Sequence, residues 1–209
     1  MVKRLFASLL LALPVAMPLS LAHMATAQAE CVNLGSNTCG AATSYEITIE
    51  KVEFCKSSSC ANPVVVASSS SEFDIAASSA GAAVGNYADL DGVAAGVYTH
   101  VRTTIDGSIS YGASATGACS AVSAGTSQNV TAITGITTAL QSAANSDFNL
   151  SVSGSDLIHL YELNRALTIS KAGSLPQVQI DFSTADGHIC LGGVSYPGVP
   201  YVSIKVFEN

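Results

Sequence analysis

The stretch GVYTHVRTTIDG, residues 96–107, contains the three side chains best suited to binding a ligand: Tyr98, His100 and Arg102. A phenol, an imidazole and a guanidinium all donate hydrogen bonds, and the guanidinium also pairs with anions. Side chains two residues apart lie on the same side of a strand. The three are therefore a candidate binding face for polysaccharide or another ligand, although a solvated or half-covered strand face is the simpler interpretation.

The strand that would carry this face is predicted by regular alternation along residues 96–105. The opposite, buried side is expected to hold Val97, Val101 and Ile105. Asp106 and Gly107 form a dipeptide that is typical of hairpin turns. The pattern therefore predicts a central hairpin, with the chain reversing at Asp106-Gly107 into a second strand.

The sequence offers no catalytic or metal-binding motif as an alternative functional site. Beyond residue 29 the histidines are His100, His159 and His188, far apart in sequence. A Ser-His-Asp trio could still form in space, but the many serines make that unspecific. Residues 89–92, DLDG, resemble the start of a calcium loop but lack its later acidic ligands, so a turn is favoured. We expect no catalytic residue, no metal site and no cofactor.

The first 29 residues are predicted to be a signal peptide. Lys3 and Arg4 precede the apolar residues 5–21, and Ala27 and Ala29 supply the small-residue cleavage pattern. Two prolines and a short apolar run disfavour a membrane anchor, and Glu30 before Cys31 disfavours a lipoprotein. Cleavage near Ala29/Glu30 would leave residues 30–209 secreted, at the cell surface or in the periplasm, with no transmembrane segment.

Residues 30–209 have the length of a single domain. Two of the eight Lys and Arg residues lie in the predicted signal peptide, so the remainder carries six basic and fifteen acidic side chains, a net charge of −9. Such a surface repels nucleic acid, which we exclude as a partner.

All six cysteines follow the predicted signal peptide, and an even number in an exported chain indicates disulfides rather than a metal site. Short loops favour the pairs Cys31–Cys39 and Cys55–Cys60. The remaining pair, Cys119–Cys190, would connect the middle of the chain to its end and close the longest loop.

Short alternating segments along residues 45–207, among them 64–67, 188–191 and 201–207, predict roughly nine or ten strands and at most one short helix, and the small, polar residues 112–128 are expected to be a long connection. Buried positions change phase between Ile49 and Val52, which indicates a bulge or a strand that changes its buried face. Residues 157–167 suit a helix capped by Ser155, and a strand almost equally well, since Leu157, His159, Tyr161 and Leu163 alternate. The predicted fold is an all-β, disulfide-stabilised, two-layer antiparallel β-sandwich.

Four segments, YEITIEKVEFC, EFDIA, VAAGVYTHVRTTI and LTISKAGSLPQVQIDFST, resemble a bacterial exported domain of unknown function with a transthyretin-like sandwich. The matching positions are Gly96, Tyr98, Arg102, Ile180, Asp181 and Phe182. The resemblance covers about half of the chain after the signal peptide and implies a surface or periplasmic β-sandwich without catalytic residues.

These features favour a non-enzymatic structural or interaction protein, such as a matrix, adhesive or fibre subunit that binds itself or other surface proteins. The C-terminal segment YVSIKVFEN alternates through Val202, Ile204 and Val206 and could be donated to a neighbouring copy, although a strand within its own sandwich is the simpler expectation. A polysaccharide- or ligand-binding module is the second hypothesis, and a hydrolase with a site built from loops is the third.

Overall fold

The computed structural model describes residues 38–76, 90, 92–132, 148–170, 177–198 and 200–207. In this part the chain forms thirteen β-strands and a short 3₁₀ turn, Val130–Ala132, so the predicted all-β class is confirmed. The strands are β1 (Thr38–Gly40), β2 (Ala42–Cys55), β3 (Val64–Ala67), β4 (Ser71–Asp74), β5 (Gly96–Asp106), β6 (Ser108–Ala113), β7 (Val122–Asn129), β8 (Phe148–Ser153), β9 (Asp156–Ile169), β10 (Gln177–Ser183), β11 (His188–Leu191), β12 (Val194–Pro197) and β13 (Tyr201–Phe207).

The strands outnumber the nine or ten expected because short or polar segments were not recognised. β1, β7 and β12 lack the apolar alternation that marks a half-buried strand. Residues 112–128 were expected to be a connection, but they contain most of β7. Residues 157–167 lie within β9, so the strand alternative is correct there and the helix alternative is wrong. The predicted signal peptide lies outside the described residues.

The main sheet is organised around β2, which pairs with strands on both of its edges. One edge pairs antiparallel with β5 and then β6, and the other pairs with β3 and β4. The pairing with β5 shifts register between Ile49 and Lys51. Tyr45, Ile47 and Ile49 are buried before that point, and Val52 and Phe54 after it. The predicted change of phase is therefore confirmed as a bulge.

The predicted hairpin turn at Asp106-Gly107 is wrong. Because β5 and β6 are both antiparallel to β2, they run in the same direction and form one strand that bends at Gly107. The Asp106 carboxylate does accept the amide of Ser108 at 2.7 Å, a local contact typical of turns. The chain nevertheless continues forward, since the backbone groups of Gly107 bond to neighbouring segments.

Gly107 marks a fork in the sheet. On the edge away from β2, β5 pairs with β9 up to Asp106, and β6 pairs with β7 from Ser108 onward. The Gly107 amide donates to the carbonyl oxygen of Ser155, and its own carbonyl accepts the Val130 amide at 2.8 Å. The neighbouring strands β9 and β7 thus diverge at Gly107, and both the amide and the carbonyl of Gly107 remain hydrogen-bonded.

The main sheet has eight strands: the hydrogen-bonded path β7-β6-β2-β5-β9-β8, in which β5 and β6 share one edge of β2, and β3 and β4 on the other edge of β2. β8 and β9 form a hairpin through Gly154 and Ser155, and Gly154 has a φ of 65°. Glycine at the first central position of a two-residue turn matches the twist of the flanking strands. This turn also places the Ser155 carbonyl next to Gly107.

Two further sheets pack against the main sheet and complete a β-sandwich. β10 and β13 form one antiparallel pair, and the inward residues Val202, Ile204 and Val206 of β13 are buried. β1, β11 and β12 form the other, which we call the small sheet. The Tyr45 hydroxyl donates to the carbonyl of Gly198, which links the main sheet to the chain between β12 and β13.

Candidate functional site

The structure separates the three predicted ligand-binding residues. Tyr98 is fully buried, packs its ring 5.4 Å from that of Phe54, and donates its hydroxyl to the carbonyl of Ala94 at 2.6 Å. His100 and Arg102 are half-buried on the opposite side of β5. Tyr98 is therefore part of the core, and only the other two residues share a face.

The separation arises because β5 changes its buried side near Thr99. Its register with β9 shifts between Tyr98 and His100, where β9 contributes three additional residues. Val101 and Ile105 are buried as predicted, but Val97 is 52% exposed, so that prediction is wrong. A bulge reverses the alternation, which a strict period of two cannot foresee.

His100 and Arg102 belong to an outer face, defined here as the side of β2, β5 and β9 that carries Lys51, Glu53, His100, Arg102, Leu160 and Glu162. Cross-strand pairing places Glu53 opposite Arg102, and Arg102 opposite Leu160. In the adjacent row His100 pairs with Glu162. The outer face is therefore a mixture of charged and half-buried apolar side chains.

Glu53 is the centre of the charge network on the outer face. It is only 3% exposed, and its carboxylate lies 2.7 Å from Arg102 Nε and 3.5 Å from Lys51 Nζ. Burial alone would raise the pKa of this carboxyl, but the Arg102 hydrogen bond and the charges of Arg102 and Lys51 outweigh it and hold the pKa below its usual range. Glu53 is therefore ionised and fixes the position of Arg102.

This arrangement suits binding of a polar or anionic group better than proton transfer. Lys51 and Arg102 flank the Glu53 carboxylate, and together with Glu162 the charged side chains of the outer face sum to zero. The Arg102 side chain keeps 27% of its surface exposed and Lys51 keeps 39%. Guanidinium and ammonium groups held in this way can donate to carboxylate, sulfate or hydroxyl groups of a ligand.

A second polar site, which the sequence did not indicate, lies between the layers. His159 is 3% exposed, and its Nδ1 lies 2.6 Å from the hydroxyl of Tyr161. Burial lowers the pKa of His159 to about 4, so the ring is neutral near pH 7. Its position on an alternating strand predicted only that it shares a face with Leu157 and Tyr161.

His159 lines a cavity of about 20 Å³ between the main sheet and the segment that includes β10 and β13. The lining is almost entirely apolar: Tyr45, Ile47, Ile105, Ile109, Leu150, Leu157, Phe182, Gly198, Pro200 and Val202 complete it. A space of this size is on the order of one or two water molecules. The cavity is therefore a gap in the packing of the interior.

A third site involves His188, at the start of β11. The ring is fully buried and lies 6.4 Å from that of Tyr111 on β6. Neither ring nitrogen of His188, nor the Tyr111 hydroxyl, has a hydrogen-bond partner among the described residues. Burial lowers the pKa of His188 and raises the pKa of Tyr111 to about 12. The three histidines thus occupy three separate environments.

Two of the predicted disulfides are confirmed. Cys55 bonds to Cys60 at the end of β2, and Cys119 bonds to Cys190, which joins the β6–β7 connection to β11. Cys39 is also disulfide-bonded, and its predicted partner Cys31 lies outside the described residues. Among the described residues no group of three or more His, Cys, Asp or Glu side chains could hold a metal ion.

Comparison of the chain with known protein families, with curated proteins and with solved structures found no match. In the part of the chain that the structure describes, no helix has the length and apolar character needed to cross a membrane. The functional interpretation therefore depends on the fold and on the geometry of the outer face.

Proposed function

We propose that this protein is a non-enzymatic, exported structural or interaction protein of the cell surface or extracellular matrix, acting as a matrix, adhesive or fibre subunit. The supporting observation is a sandwich of antiparallel sheets in which Cys119–Cys190 joins the small sheet to the β6–β7 connection. A disulfide that joins the small sheet to a connection of the main sheet suits a protein that stays folded outside the cell without chaperones or a reducing environment.

Strand β13 offers a surface for self-association. All seven of its residues pair with β10, and among the described residues no strand pairs with its other edge. Phe207 at its end is 44% exposed. An open edge with an exposed aromatic residue is a natural place for a strand of another chain to pair. Such pairing would leave β13 in its own domain, and a second copy would extend the β10–β13 sheet.

Native mass spectrometry and negative-stain electron microscopy of residues 30–209 over a concentration series would test this proposal. We expect oligomers or fibres that Phe207→Lys weakens, because a charge at the edge opposes pairing. Val194→Lys is the matched control, since Val194 is 50% exposed but lies on β12 in the small sheet. A strict monomer at the highest soluble concentration would refute the subunit role.

The outer face supports a second candidate function, a module that binds polysaccharide or another polar ligand. Lys51, His100 and Arg102 are grouped there around the ionised Glu53. A glycan array that includes uronic-acid and sulfated polymers would test it. We expect retention that the double substitution Lys51→Ala and His100→Ala abolishes, and no retention of any glycan by the unmodified protein would eliminate this function.

A further inference from the structure

The small sheet covers one end of the main sheet and is attached there by a disulfide and by hydrogen bonds. Besides the Cys119–Cys190 bond, Gln128 on β7 donates to the carbonyl of Ser195 at 3.2 Å, and the Ser195 hydroxyl donates to the carbonyl of Ser120 at 3.4 Å. His188 packs its ring on Tyr111 at this boundary, and Leu191 and Tyr196 of the small sheet also pack against the core. The boundary therefore contains one fully buried imidazole among apolar and aromatic side chains.

His188 is held there as an uncharged ring. It pairs in the small sheet with Gly40 of β1 and Pro197 of β12, neither of which has a titratable side chain. Its fully buried nitrogens have no acceptor among the described residues that could stabilise a bound proton. A charged imidazolium in such a place would lose its hydration without gaining a counter-charge, a large free-energy cost.

The titratable groups around His188 do not offset this cost. Tyr111 on β6 lies beside the ring, Tyr45 on β2 and Tyr196 on β12 interact with Tyr111, and Asp186 precedes His188 by two residues; β1 and β7 carry no acidic or basic side chain. The phenols are neutral at physiological pH. Burial raises the pKa of Asp186, so this carboxyl also loses its charge on acidification and is a poor counter-ion. The lowered pKa of His188 has burial as its cause.

We propose that the small sheet is an acid-labile cover: protonation of His188 detaches β11 and β12 from β6 and β7, while the Cys119–Cys190 bond keeps the small sheet tethered. Detachment exposes Tyr111, which the folded protein buries completely. Because the folded protein holds this proton less tightly than the unfolded chain, docking is fully stable above the ordinary histidine pKa of about 6.5 and weakens as the pH falls below it. An exported protein would thereby expose a new surface in an acidic environment.

Hydrogen exchange with mass spectrometry at about pH 7.5 and about pH 5, corrected for intrinsic exchange rates, brackets the ordinary histidine pKa and tests the proposal. We expect amides of β11 and β12 to lose at least about tenfold more protection on acidification than amides of β5 and β9, because only the small sheet detaches. His188→Gln should abolish the difference. Tyr111→Phe, which keeps the titrating ring, should retain it.

Histidine NMR titration of the unmodified protein provides a readout that does not depend on either variant folding. The His188 resonance should titrate below the ordinary histidine range, and the resonances of Tyr111 should change with the same midpoint. The proposal would be overturned by equal loss of protection in β5 and β9, by an unchanged small sheet at the lower pH, or by a His188 titration that leaves Tyr111 unaffected.

Discussion

The backbone amide of Gly107 donates to the carbonyl oxygen of Ser155 over 2.9 Å, so the bend in the long β5–β6 strand lies directly against the turn of the β8–β9 hairpin. This single contact explains why the chain needs glycine here. A Cβ atom at position 107 would lie 2.3 Å from that same oxygen and 2.5 Å from Cγ2 of Thr131. The fork in the sheet is therefore built around the absence of a side chain.

Gly107→Ala should destabilise the protein by about 2–3 kcal/mol, because the added methyl group collides with backbone that cannot move without breaking the fork. Gly125→Ala is the matched control: Gly125 has a φ of 81° but open space around it. Its cost should be only about 1 kcal/mol of backbone strain. Urea unfolding followed by circular dichroism measures both, and equal losses would contradict the steric explanation.

Arg102→Ala should destabilise the protein more than Lys51→Ala. The first change removes the 2.7 Å partner of a nearly buried carboxylate and should cost about 2 kcal/mol, whereas the second removes a 3.5 Å contact and should cost less than about 1 kcal/mol. Unfolding free energies from urea titration measure both. In a Glu53→Gln background, Arg102→Ala should lower the unfolding free energy only slightly. An undiminished decrease would show that Arg102 stabilises the fold through packing.

Acid should destabilise the fold through His159. Because burial lowers its pKa from 6.5 to about 4, the folded state resists protonation; its contribution is complete above pH 6.5 and is lost as the pH falls toward 4. The loss should reach about 2 kcal/mol by pH 5. His159→Gln should reduce the pH dependence of the unfolding free energy between these limits. An undiminished slope in His159→Gln would assign the pH dependence to other groups.

The two disulfides should differ in their stabilising effect. Cys119 and Cys190 are 71 residues apart, and Cys55 and Cys60 only 5. Under the loop-entropy account, replacing the first pair with serine should cost about 4 kcal/mol and replacing the second about 2 kcal/mol. Thermal unfolding of the two double-serine variants compares them within one protein. A larger loss for the Cys55–Cys60 pair would mean that local geometry dominates over loop length.

Much of the fold could be predicted from local patterns because burial on one side of a strand leaves a period of two. β3, β11 and β13 were predicted with their observed limits, and the phase change in β2 correctly indicated a bulge. β7 was missed because its sequence, VSAGTSQN, is mostly exposed at the end of the sheet and carries no apolar alternation.

The candidate site was harder to predict, since it depends on contacts between distant segments. The bulge opposite Thr99 moved Tyr98 into the core, and an Asp-Gly dipeptide became a bend because Ser155 and Val130 supplied its hydrogen bonds. Neither partner lies close in sequence. The burial of His159 and His188 likewise depends on which sheet covers each strand, which no local pattern encodes.

The Cys119–Cys190 bond also determines how this protein responds to a pulling force. If the two ends of the chain are drawn apart, tension passes through the disulfide and bypasses the residues between the two cysteines. At about 3.4 Å per residue, those residues hold on the order of 240 Å of contour length in reserve. A copy held at both ends would therefore reach its maximum extension before these residues are stretched. It would release their contour length only when a reductant cleaves the bond.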